Sequence, residues 1–385
     1  MKKLIRITTV PISLKILLKG QLSFMSEHFE VVGITSPGKE IQEVEEDENI
    51  KIIPVLMSRK ITPFEDLKSL WKTYKVLKNE KPHIVHTHTP KAGLVGMAAA
   101  YLAGVPLRLH TVAGLPLMEA TGNKRKVLNI VEKLTYRLAT KIYPNSKGLY
   151  DFITENGFTK PEKLKVLGNG SSNGINVSHF SKEELDGSVL VDLKQKYHLS
   201  NNDFIFVFVG RLVGDKGINE LVSAFSNLHH DHVKLLLVGS METELDPLAF
   251  QTVKEIQDNP KIISVGFQKD VRPFLAISNA FVFPSYREGF PNVVMQAGAM
   301  ELPCIVSDIN GCNEIIQEGK NGVIIPVKNE EAILQAMTAF ISGSEYIAKL
   351  KKNSRKMIVE RYEQTVVWRA LLEEYNRLLN KKNNV

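Results

Sequence analysis

The sequence predicts an α/β protein made of two doubly wound domains. Its 385 residues exceed the roughly 100–200 residues of one typical domain. Short apolar runs rich in β-branched residues alternate with longer helical patterns, which is the order expected of βαβ units. These runs are continuously apolar rather than alternating, which indicates parallel strands buried on both faces of a sheet.

Each half of the chain contains its own series of predicted strands. The first half has seven, at residues 2–8, 29–35, 50–55, 83–88, 107–112, 141–146 and 163–170. The second half has six, at residues 203–210, 233–239, 261–267, 280–285, 303–308 and 321–326. A polar, helical segment at residues 178–203 interrupts the series. We therefore predict one domain over residues 1–180 and a second over residues 181–364.

The end of the chain has the spacing of an amphipathic helix. Over residues 365–385, Val366, Leu371 or Leu372, and Tyr375 share one face of such a helix. We expect this helix to pack back on the first domain.

The charge of the chain limits the classes of partner. The net charge is +7, and residues 101–150 hold eight Lys and Arg against two acids. Such a basic region predicts contact with anionic lipid or with a phosphorylated substrate. Nucleic acid is disfavoured because no aromatic side chains are interleaved with these cations. The acidic run at residues 43–49 is predicted to be a solvated loop.

Cysteine usage and hydropathy bear on the compartment. The two cysteines, Cys304 and Cys312, form neither a disulfide framework nor a set of metal ligands, which fits a reducing cytosol. No stretch approaches the ~18 continuous apolar residues of a membrane-spanning helix. We therefore expect a cytoplasmic protein.

The loop after the first strand of the second half has the chemistry of an anion site. Residues 210–217 read GRLVGDKG and follow a predicted strand, whose carboxyl end lies at the ligand-binding edge of an open α/β sheet. Arg211 and Lys216 bring two cations to the start of the next helix, a combination suited to a diphosphate. The alternative is that both are surface charges paired with Asp215 or Glu220.

A second loop, REGFPNVVMQ at residues 287–296, follows the fourth strand of the same half. Pro291 suits the first turn of a helix, and the free amides around it favour an anion. Because a carboxylate cannot usefully face a phosphate, we expect Glu288 to face sugar hydroxyls. Asn292 and Gln296 share a helix face, and the Gln296 amide suits ribose hydroxyls. A helix-dipole partner for Glu288, and a plain surface amide for Gln296, remain open alternatives.

Three segments of the second half resemble, in their order and spacing, the nucleotide-sugar domain of retaining family-4 glycosyltransferases of the GT-B fold. These segments are GRLVGDKG, EGFPNVVMQAGAMELPCIVSD and NEIIQEGKNGVIIP. The segments at residues 86–106 and 168–175, HTHTPKAGLVGMAAAYLAGVP and GNGSSNGI, resemble the acceptor domain of bacterial members. The resemblance covers nearly the whole chain. It is strongest toward bacterial polyprenyl-diphosphate-sugar glycosyltransferases, in the branch similar to bacillosamine-diphosphoundecaprenol N-acetylgalactosaminyltransferase. It implies two Rossmann-like domains that face a cleft.

The resemblance implies roles at the matching positions of the second domain. Arg211 and Lys216 would hold the donor diphosphate and stabilise the leaving nucleotide, and Glu288 would contact the hydroxyls of the donor sugar. Phe267 would lie beside the base. The other donor-binding positions that it implies are Gly210, Gly289, Phe290, Asn292, Val293 and Gln296.

Two positions depart from the family pattern. The family has a second Glu eight residues after the first, and here that position is Gln296, which we expect to preserve function with altered affinity. Many members carry a His before a Gly in the loop after the fifth strand, where this chain has Ala113. His110 lies three residues earlier, so it either takes part in the reaction or is a packed strand residue.

Candidates on the acceptor side follow the fourth predicted strand. We expect His86 and His88 to point to opposite faces of that strand, so that at most one of them faces the site, and we assign His88. Lys91 at the strand end would either meet an acceptor phosphate or be solvated.

The segment at residues 123–141, NKRKVLNIVEKLTYRLATK, accounts for much of the basic charge. Its apolar stripe of Val127, Val131, Leu134 and Leu138 is predicted to pack on the sheet of its own domain. The flanking Lys and Arg would dock the domain on anionic lipid, at about 1 kcal/mol for each cation near the surface.

The implied chemistry needs no metal and no cofactor. The chain has no Asp-x-Asp pair and no His/Cys cluster with metal-ligand spacing. Cations and a helix start would stabilise the charge that grows on the leaving diphosphate. The resemblance implies retention of anomeric configuration. Because no nucleophile is placed for a covalent intermediate, we expect a front-face route in which the departing phosphate assists deprotonation of the acceptor.

The predicted function is transfer of a hexose or N-acetylhexosamine from a nucleotide sugar, with UDP favoured by the resemblance, to a lipid-linked sugar. The acceptor would carry polyprenyl diphosphate, and the enzyme would act in surface polysaccharide or glycan assembly on the inner face of the plasma membrane. A nucleotide-sugar epimerase shares the architecture but needs acid/base residues and no second substrate. A non-catalytic family member is the remaining alternative. A dehydrogenase is disfavoured because no Gly-x-Gly-x-x-Gly motif follows a strand.

Overall fold

The computed structural model describes residues 1–58, 62–118, 120–244 and 246–383. The chain divides into two compact units. The first unit comprises Met1–Gly174 with Gln364–Val385, and the second comprises Ile175–Glu363. Each contains a parallel six-stranded sheet with helices between successive strands, as the α/β prediction requires.

The strands of the first unit are β1 (Lys3–Ile7), β2 (Glu30–Thr35), β3 (Lys51–Pro54), β4 (Ile84–Thr87), β5 (Leu107–Val112) and β6 (Lys141–Pro144). They pair in the order β3-β2-β1-β4-β5-β6, and every pair is parallel. The predicted seventh strand at residues 163–170 is wrong, because Leu164 makes only an isolated bridge with Ile142. That run ends in Gly168 and Gly170, whose φ angles of 55° and 93° end any extended path.

The helices of the first unit are α1 (Pro11–Leu17), α2 (Gln21–Ser26), α3 (Glu40–Glu48), α4 (Pro63–Glu80), α5 (Pro90–Leu102), α6 (Gly122–Leu138) and α7 (Lys147–Glu155). They cover both faces of the sheet, because the chain grows in one direction from β1 to β3 and in the other from β4 to β6. One apolar cluster lies under α4, α5, α6 and α7, and a second lies under α1, α2 and α3.

The last helix returns to the first unit. Near the end of the chain, Gln364–Asn383 forms a helix that packs beside α2. Its buried face carries Val367, Leu371 and Tyr375, whereas Val366 is 38% exposed, so the face predicted through Val366 is wrong by one residue. Glu374 accepts hydrogen bonds from Lys165 Nζ at 2.6 Å and Tyr143 Oη at 3.3 Å. Burial alone would raise the pKa of this carboxyl, but its partners hold the pKa at about 2.

One surface segment is helical where a loop was predicted. The acidic run at residues 43–49 falls mostly in α3 rather than in a solvated loop, because Val44 and Glu48 are buried on one side of a helix. The Glu48 carboxylate accepts hydrogen bonds from the backbone N–H groups of Gly20 at 2.5 Å and Ser23 at 2.9 Å. Glu48 therefore satisfies free amides at the start of α2, which lies far from it in sequence.

The face of α6 that packs on the sheet is not the predicted one. The buried residues of this helix are Glu132, Thr135 and Tyr136. Within the predicted stripe, Val127 and Leu134 are 43% and 44% exposed. The helix is thus rotated to bury the large Tyr136 ring, which lies 6.1 Å from the His110 ring and 6.5 Å from the Phe158 ring.

The strands of the second unit are β7 (Phe204–Val209), β8 (Val233–Val238), β9 (Ile262–Gly266), β10 (Ala280–Phe283), β11 (Cys304–Ser307) and β12 (Gly322–Ile325). Its helices are α8 (Gly187–Lys196), α9 (Ile218–Ser226), α10 (Phe250–Asp258), α11 (Arg272–Ala276), α12 (Asn292–Ala299), α13 (Cys312–Ile315), α14 (Glu330–Ser342) and α15 (Ser344–Tyr362), with α16 (Gln364–Asn383) following in the first unit. The strand order is β12-β11-β10-β7-β8-β9, and every pair is parallel. All six strands predicted for this half are confirmed.

Continuous apolar strands fill the interior of the second unit. Three consecutive residues of β7, Phe206, Val207 and Phe208, are fully buried, and so are Phe281 and Val282 on β10. Because adjacent side chains on one strand point to opposite faces, buried neighbours show that both faces of the sheet are covered. The order places β10 beside β7, so the loops that follow these two strands are neighbours at the carboxyl edge.

Candidate functional site

The loops after β7 and β10 meet at the carboxyl edge of the second sheet. The Tyr286 backbone N–H donates to the Asp215 carbonyl at 2.9 Å, which ties the loops together. Gly217, between a 3-10 turn and α9, has a φ of +70°. A Cβ atom there would lie 2.2 Å from the Pro284 carbonyl oxygen. Only glycine therefore allows this close approach of the two loops.

Lys216 and Glu288 form an ion pair across these two loops. Lys216 Nζ lies 2.5 Å from Glu288 Oε1, and the two side chains are 16% and 18% exposed. Ser285 Oγ donates to the same carboxylate oxygen at 3.1 Å. The sequence left open a pairing of Lys216 with Asp215. In the structure Lys216 pairs with Glu288, and Asp215 accepts from Arg287 Nη2 at 2.7 Å.

A third loop fixes the backbone beside Glu288. Asn310, which follows β11, donates its side-chain amide to the Glu288 carbonyl at 3.1 Å and to the Gly289 carbonyl. Sequence reasoning missed both Ser285 and Asn310. Their position in loops at the carboxyl ends of β10 and β11 was the available signal.

The helix α12 begins directly after this loop. Pro291 is its N-cap residue, and the residues on either side of it include the predicted donor-binding positions. The Phe290 ring packs on the Tyr362 ring at 5.4 Å, so this side chain supports the unit rather than pointing into solvent. Asn292 is exposed and Gln296 is half-buried. Amides at the start of an eight-residue helix favour a negatively charged ligand.

The remaining donor-side candidates are accessible. Arg211, whose side chain is 50% exposed, follows Gly210 at the end of β7. Its Nη1 lies 3.0 Å from Glu242 Oε2, so it pairs with neither Asp215 nor Glu220. Phe267 follows β9 and is 76% exposed, which leaves its ring free to stack.

His86 and His88 lie on the same side of β4, so the prediction that they point to opposite faces is wrong. Residues two apart in a strand share a face, and the two ring centroids are 4.3 Å apart. His86 Nδ1 lies 2.5 Å from Tyr375 Oη, and its Nε2 lies 2.8 Å from Thr111 Oγ1. Both nitrogens of His86 are therefore engaged inside the first unit.

A buried arginine holds His88. Arg6 is completely buried on β1, and its Nε donates to His88 Nε2 at 3.0 Å. Burial, followed by the charge of Arg6, holds the pKa of His88 well below its ordinary value. Arg6 Nη2 also donates to Gln21 Oε1, and Gln21 Nε2 donates to the Ser172 carbonyl at 3.1 Å. The signal for this network was an arginine inside an apolar strand.

A small cavity of about 20 Å³ lies next to His88. Its lining is mixed, with polar groups from the carboxyl edge of the sheet and apolar groups from the last helix. The residues that line it include Thr111, Asn145, Ser171, Ser172 and Leu371. Ser171 and Ser172, from the segment at residues 168–175, thus lie beside His88 in the first unit.

The other two acceptor-side candidates have partners in the protein. His110 is 3% exposed and its Nδ1 lies 2.7 Å from Thr87 Oγ1. Burial lowers the pKa of His110 to about 4, so it is neutral near pH 7. Lys91 Nζ lies 2.5 Å from Asp66 Oδ2, with 10% of the lysine side chain exposed. His110 thus packs in the interior, and Lys91 is neither solvated nor unpaired.

Among the described residues, no group of three or more His, Cys, Asp or Glu side chains is arranged to hold a metal ion. Within the same part of the chain, no helix combines the length and the apolar character that crossing a bilayer requires.

Replacing Gly217 with alanine is expected to destabilise the second unit. A side chain at this positive φ costs about 1–3 kcal/mol in backbone strain, and the contact with Pro284 adds to that cost. Gly187→Ala is the matched control, because a Cβ placed there meets no atom within 4 Å beyond its chain neighbours and the backbone of its own helix. Urea unfolding of both variants measures the difference. Equal stability of the two would contradict the close approach of the loops.

Two models of glycosyltransferase domains match the chain. The model described as glycosyl transferases group 1 matches residues 192–357, and the glycosyl transferase 4-like domain matches residues 24–170. The capsular polysaccharide biosynthesis glycosyltransferase CapM of Staphylococcus aureus is 35% identical, over 99% of this chain and 98% of that protein. A UDP-Gal:alpha-D-GlcNAc-diphosphoundecaprenol alpha-1,3-galactosyltransferase of Escherichia coli is 32% identical, over 80% of this chain and 78% of that protein.

Solved structures share the fold. A glycosyltransferase from Rickettsia africae superposes with a TM-score of 0.82 at 21% identity, over 98% of both chains. Anabaena HepE in complex with UDP superposes with a TM-score of 0.80 at 17% identity, over 98% of this chain and 100% of that chain. The two parallel sheets and their strand order therefore have the GT-B fold of these structures. The chain belongs to the group 1 glycosyl transferases, with a glycosyl transferase 4-like domain in its N-terminal half.

Proposed function

We propose that this protein is a retaining glycosyltransferase that moves a hexose or N-acetylhexosamine from a UDP-sugar to a sugar linked to polyprenyl diphosphate. The observation that carries this proposal is the ion pair of Lys216 and Glu288 at the carboxyl edge of the second sheet. It sets a cation suited to a phosphate beside an acid suited to sugar hydroxyls. The start of α12 lies directly after Glu288 and adds amides that favour an anion.

Lys216 can serve Glu288 and the donor at once. Its ammonium has three N–H donors, and Glu288 Oε1 occupies one of them. The other two are available to the diphosphate of the donor. As the bond between sugar and diphosphate breaks, negative charge grows on the leaving group, and a cation already held in place stabilises that charge without reorganisation. The same charge on the departing phosphate would draw the proton from the acceptor hydroxyl on the same face of the sugar.

Arg211 and Phe267 complete the donor side of the proposal. Arg211 would exchange its exposed contact with Glu242 for the diphosphate, since an exposed ion pair is worth at most about 1 kcal/mol. Phe267, which follows β9, would stack on the base through its exposed ring. Gln296 would hydrogen-bond the ribose in place of the second carboxylate of the family pattern. The Gly210, Gly289 and Val293 backbone would border the phosphates and the sugar.

The acceptor assignment rests on the relatives and on the first unit. Relatives named for diphosphoundecaprenol-linked acceptors include the Escherichia coli galactosyltransferase and a Campylobacter jejuni enzyme that is 26% identical over 90% of this chain. His88 is the histidine that we assign to the acceptor side, and burial, followed by the charge of Arg6, holds its pKa well below the ordinary value. Lys91 would reach an acceptor phosphate only by leaving Asp66. We assign His110 to packing under Gly93, because a Cβ there would lie 2.6 Å from the His110 ring.

A lipid-linked acceptor places the reaction at a membrane surface. We propose that the protein acts at the inner face of the plasma membrane as a peripheral protein. It needs no metal in this scheme, because Lys216 and Arg211 supply the positive charge at the diphosphate.

Binding of UDP is expected to raise the melting temperature of the second unit by roughly 5–10 °C at a ligand concentration of 100 Kd. This value follows from about 2.7 kcal/mol of stabilisation and from 2–4 °C per kcal/mol for a unit of this size. GDP and ADP serve as the matched ligands in a thermal-shift panel. A larger shift with either of them would reassign the base.

The reaction itself tests the proposal. The protein is incubated with UDP-sugars and a polyprenyl-diphosphate-linked sugar in the presence of EDTA, and products are separated by mass. NMR of the new glycosidic bond reports the anomeric configuration, for which we expect retention. A changed sugar formed from the nucleotide sugar alone would favour an epimerase. Donor binding without any product from any acceptor would favour a non-catalytic family member.

A further inference from the structure

Exposed apolar side chains are concentrated on one helical layer of the first unit. The helices α4, α5 and α6 connect β3 to β4, β4 to β5 and β5 to β6, and α5 packs between the other two. Because right-handed connections that advance in one direction lie on one face of a sheet, these three helices form one layer. The outer surface of this layer is called the docking face below.

The helix α4 presents an aromatic stripe on the docking face. Phe64, Leu67 and Trp71 are 92%, 65% and 55% exposed. Their spacing of three and four residues places them on one side of the helix. The Trp71 ring stacks on the half-buried Tyr74 ring at 5.1 Å. The opposite side of α4 is buried through Ser69, Thr73 and Leu77.

The helix α6 presents a second stripe with the same spacing. Val127, Ile130 and Leu134 are 43%, 67% and 44% exposed. The single acid of this helix, Glu132, is buried on the opposite side. Burial raises the pKa of Glu132 to about 7. The exposed side of α6 therefore carries apolar and cationic groups without a competing carboxylate.

Cations accompany both stripes. On α4 the exposed lysines are Lys68, Lys72, Lys75 and Lys78, and on α6 the exposed cations are Lys124, Lys126, Lys133 and Arg137. None of these eight cations forms an ion pair with a carboxylate among the residues that the structure describes. Lys75 instead lies over the Trp71 ring at 5.6 Å, next to the aromatic stripe.

We propose that the docking face binds the surface of an anionic lipid bilayer. An apolar face with Trp, Phe and Leu beside Lys and Arg is the pattern of helices that lie in the membrane interface. The cations complement negatively charged lipid headgroups, and tryptophan and tyrosine favour the boundary between apolar and wet regions. A protein partner is less favoured, because lysines are depleted in the cores of protein interfaces. The inference extends the proposed function by naming the surface that would bring the enzyme to its lipid-linked acceptor.

Vesicle sedimentation tests the proposal on the full chain. The vesicles contain either neutral phosphatidylcholine alone or a mixture with phosphatidylglycerol, without polyprenyl lipid or nucleotide sugar. We expect binding to the anionic vesicles only. The triple variant K126E/K133E/R137E is expected to bind at least 100-fold more weakly, since each cation near the surface contributes about fivefold. For the double variant L67S/I130S, we expect binding to be reduced by about tenfold or more.

The matched control for the apolar variant is Phe250→Ser. Phe250 is 77% exposed at the start of α10, and it belongs to the second unit rather than to the first. This control is expected to bind the anionic vesicles as the parent protein does. Equal loss in F250S and L67S/I130S would overturn the proposal, as would binding that is insensitive to both docking-face variants.

Tryptophan fluorescence locates the contact. The chain has two tryptophans, Trp71 and Trp368, and Trp368 Nε1 donates to Asn173 Oδ1 at 2.7 Å. In the Trp368→Phe variant, Trp71 emission is expected to shift to shorter wavelength on adding anionic vesicles, and brominated lipid is expected to quench it. Vesicle binding without either change would overturn the proposal. A dimer in sedimentation velocity that L67S/I130S dissociates would assign the face to a second copy of the chain instead.

The outcomes for the docking face and for the donor site are separable. UDP binding by calorimetry is expected to be unchanged in L67S/I130S, because both residues lie in the first unit. Loss of vesicle binding with normal UDP binding supports the docking face whatever the reaction proves to be. Normal vesicle binding by a protein that binds no nucleotide would contradict the proposed function alone.

Discussion

Replacing Lys216 with alanine is expected to lower the kcat of sugar transfer by about 10²–10³-fold. This is the range observed when one preorganised group that stabilises transition-state charge is removed. Lys216 Nζ is held 2.5 Å from Glu288 Oε1 and 16% of its side chain is exposed, so in the proposed complex it would meet the leaving diphosphate with little motion. The measurement is turnover at saturating UDP-sugar and acceptor. Lys254→Ala is the matched control, because Lys254 is an exposed lysine on α10 of the same unit.

A double-mutant cycle separates two roles of Lys216. If this lysine only positions the carboxylate of Glu288, Lys216→Ala will cost nothing further in a Glu288→Ala background. If it also holds the diphosphate, the same change will still weaken UDP binding in that background. We expect the second result, with UDP affinity reduced at least tenfold in both backgrounds. Unchanged UDP affinity in either background would remove the diphosphate role.

The fold was largely predictable because its signal is local. A strand buried on both faces of a parallel sheet needs a continuous apolar run, and all six such runs in the second half became strands. The failures depend on tertiary contacts. The acidic run at residues 43–49 forms helix because Glu48 satisfies the amides of Gly20 and Ser23, a contact between segments 25 or more residues apart. Sequence spacing alone does not report such a contact.

Helix faces were harder to predict than helices. In α6, two sides of the helix carry apolar residues, and periodicity does not say which one packs on the sheet. The side with Tyr136 is buried, which leaves Val127, Ile130 and Leu134 exposed. The same limit applies to α16, where Val367 rather than Val366 is buried. Which apolar side packs depends on the space available in the interior.

The loops of the candidate site were predictable and its pairings were not. Ligands of open α/β sheets bind at the carboxyl edge of the sheet. The sequence alone therefore identified the loops after β7 and β10 as candidates. The partnership of Lys216 with Glu288 spans 72 residues and arises only because β10 lies beside β7. The hydrogen bond from Ser285 and the carbonyl contacts of Asn310 depend on the same adjacency.

Replacing Glu288 with alanine is expected to lower kcat by about 10²-fold or more while UDP binding stays equal or becomes tighter. Glu288 faces Lys216 and Ser285, and in the proposed complex its free carboxylate oxygen would accept from a sugar hydroxyl. UDP alone has no donor sugar to meet this carboxylate. Loss of the carboxylate also frees Lys216 for the phosphates. Turnover assays and calorimetry with UDP measure the two effects on the same variant.

The opposite signs of these two effects distinguish a role in the reaction from a role in folding. A Glu288 that only stabilised its loop would reduce UDP binding and turnover together when replaced. Glu331→Ala is the matched control, because Glu331 is an exposed acid at the start of α14 in the same unit. Unchanged glycan assembly in cells that carry only the Glu288→Ala protein would instead indicate a non-catalytic family member. We expect that assembly to be lost, because a carboxylate that contacts the sugar at the reacting centre contributes most in the transition state.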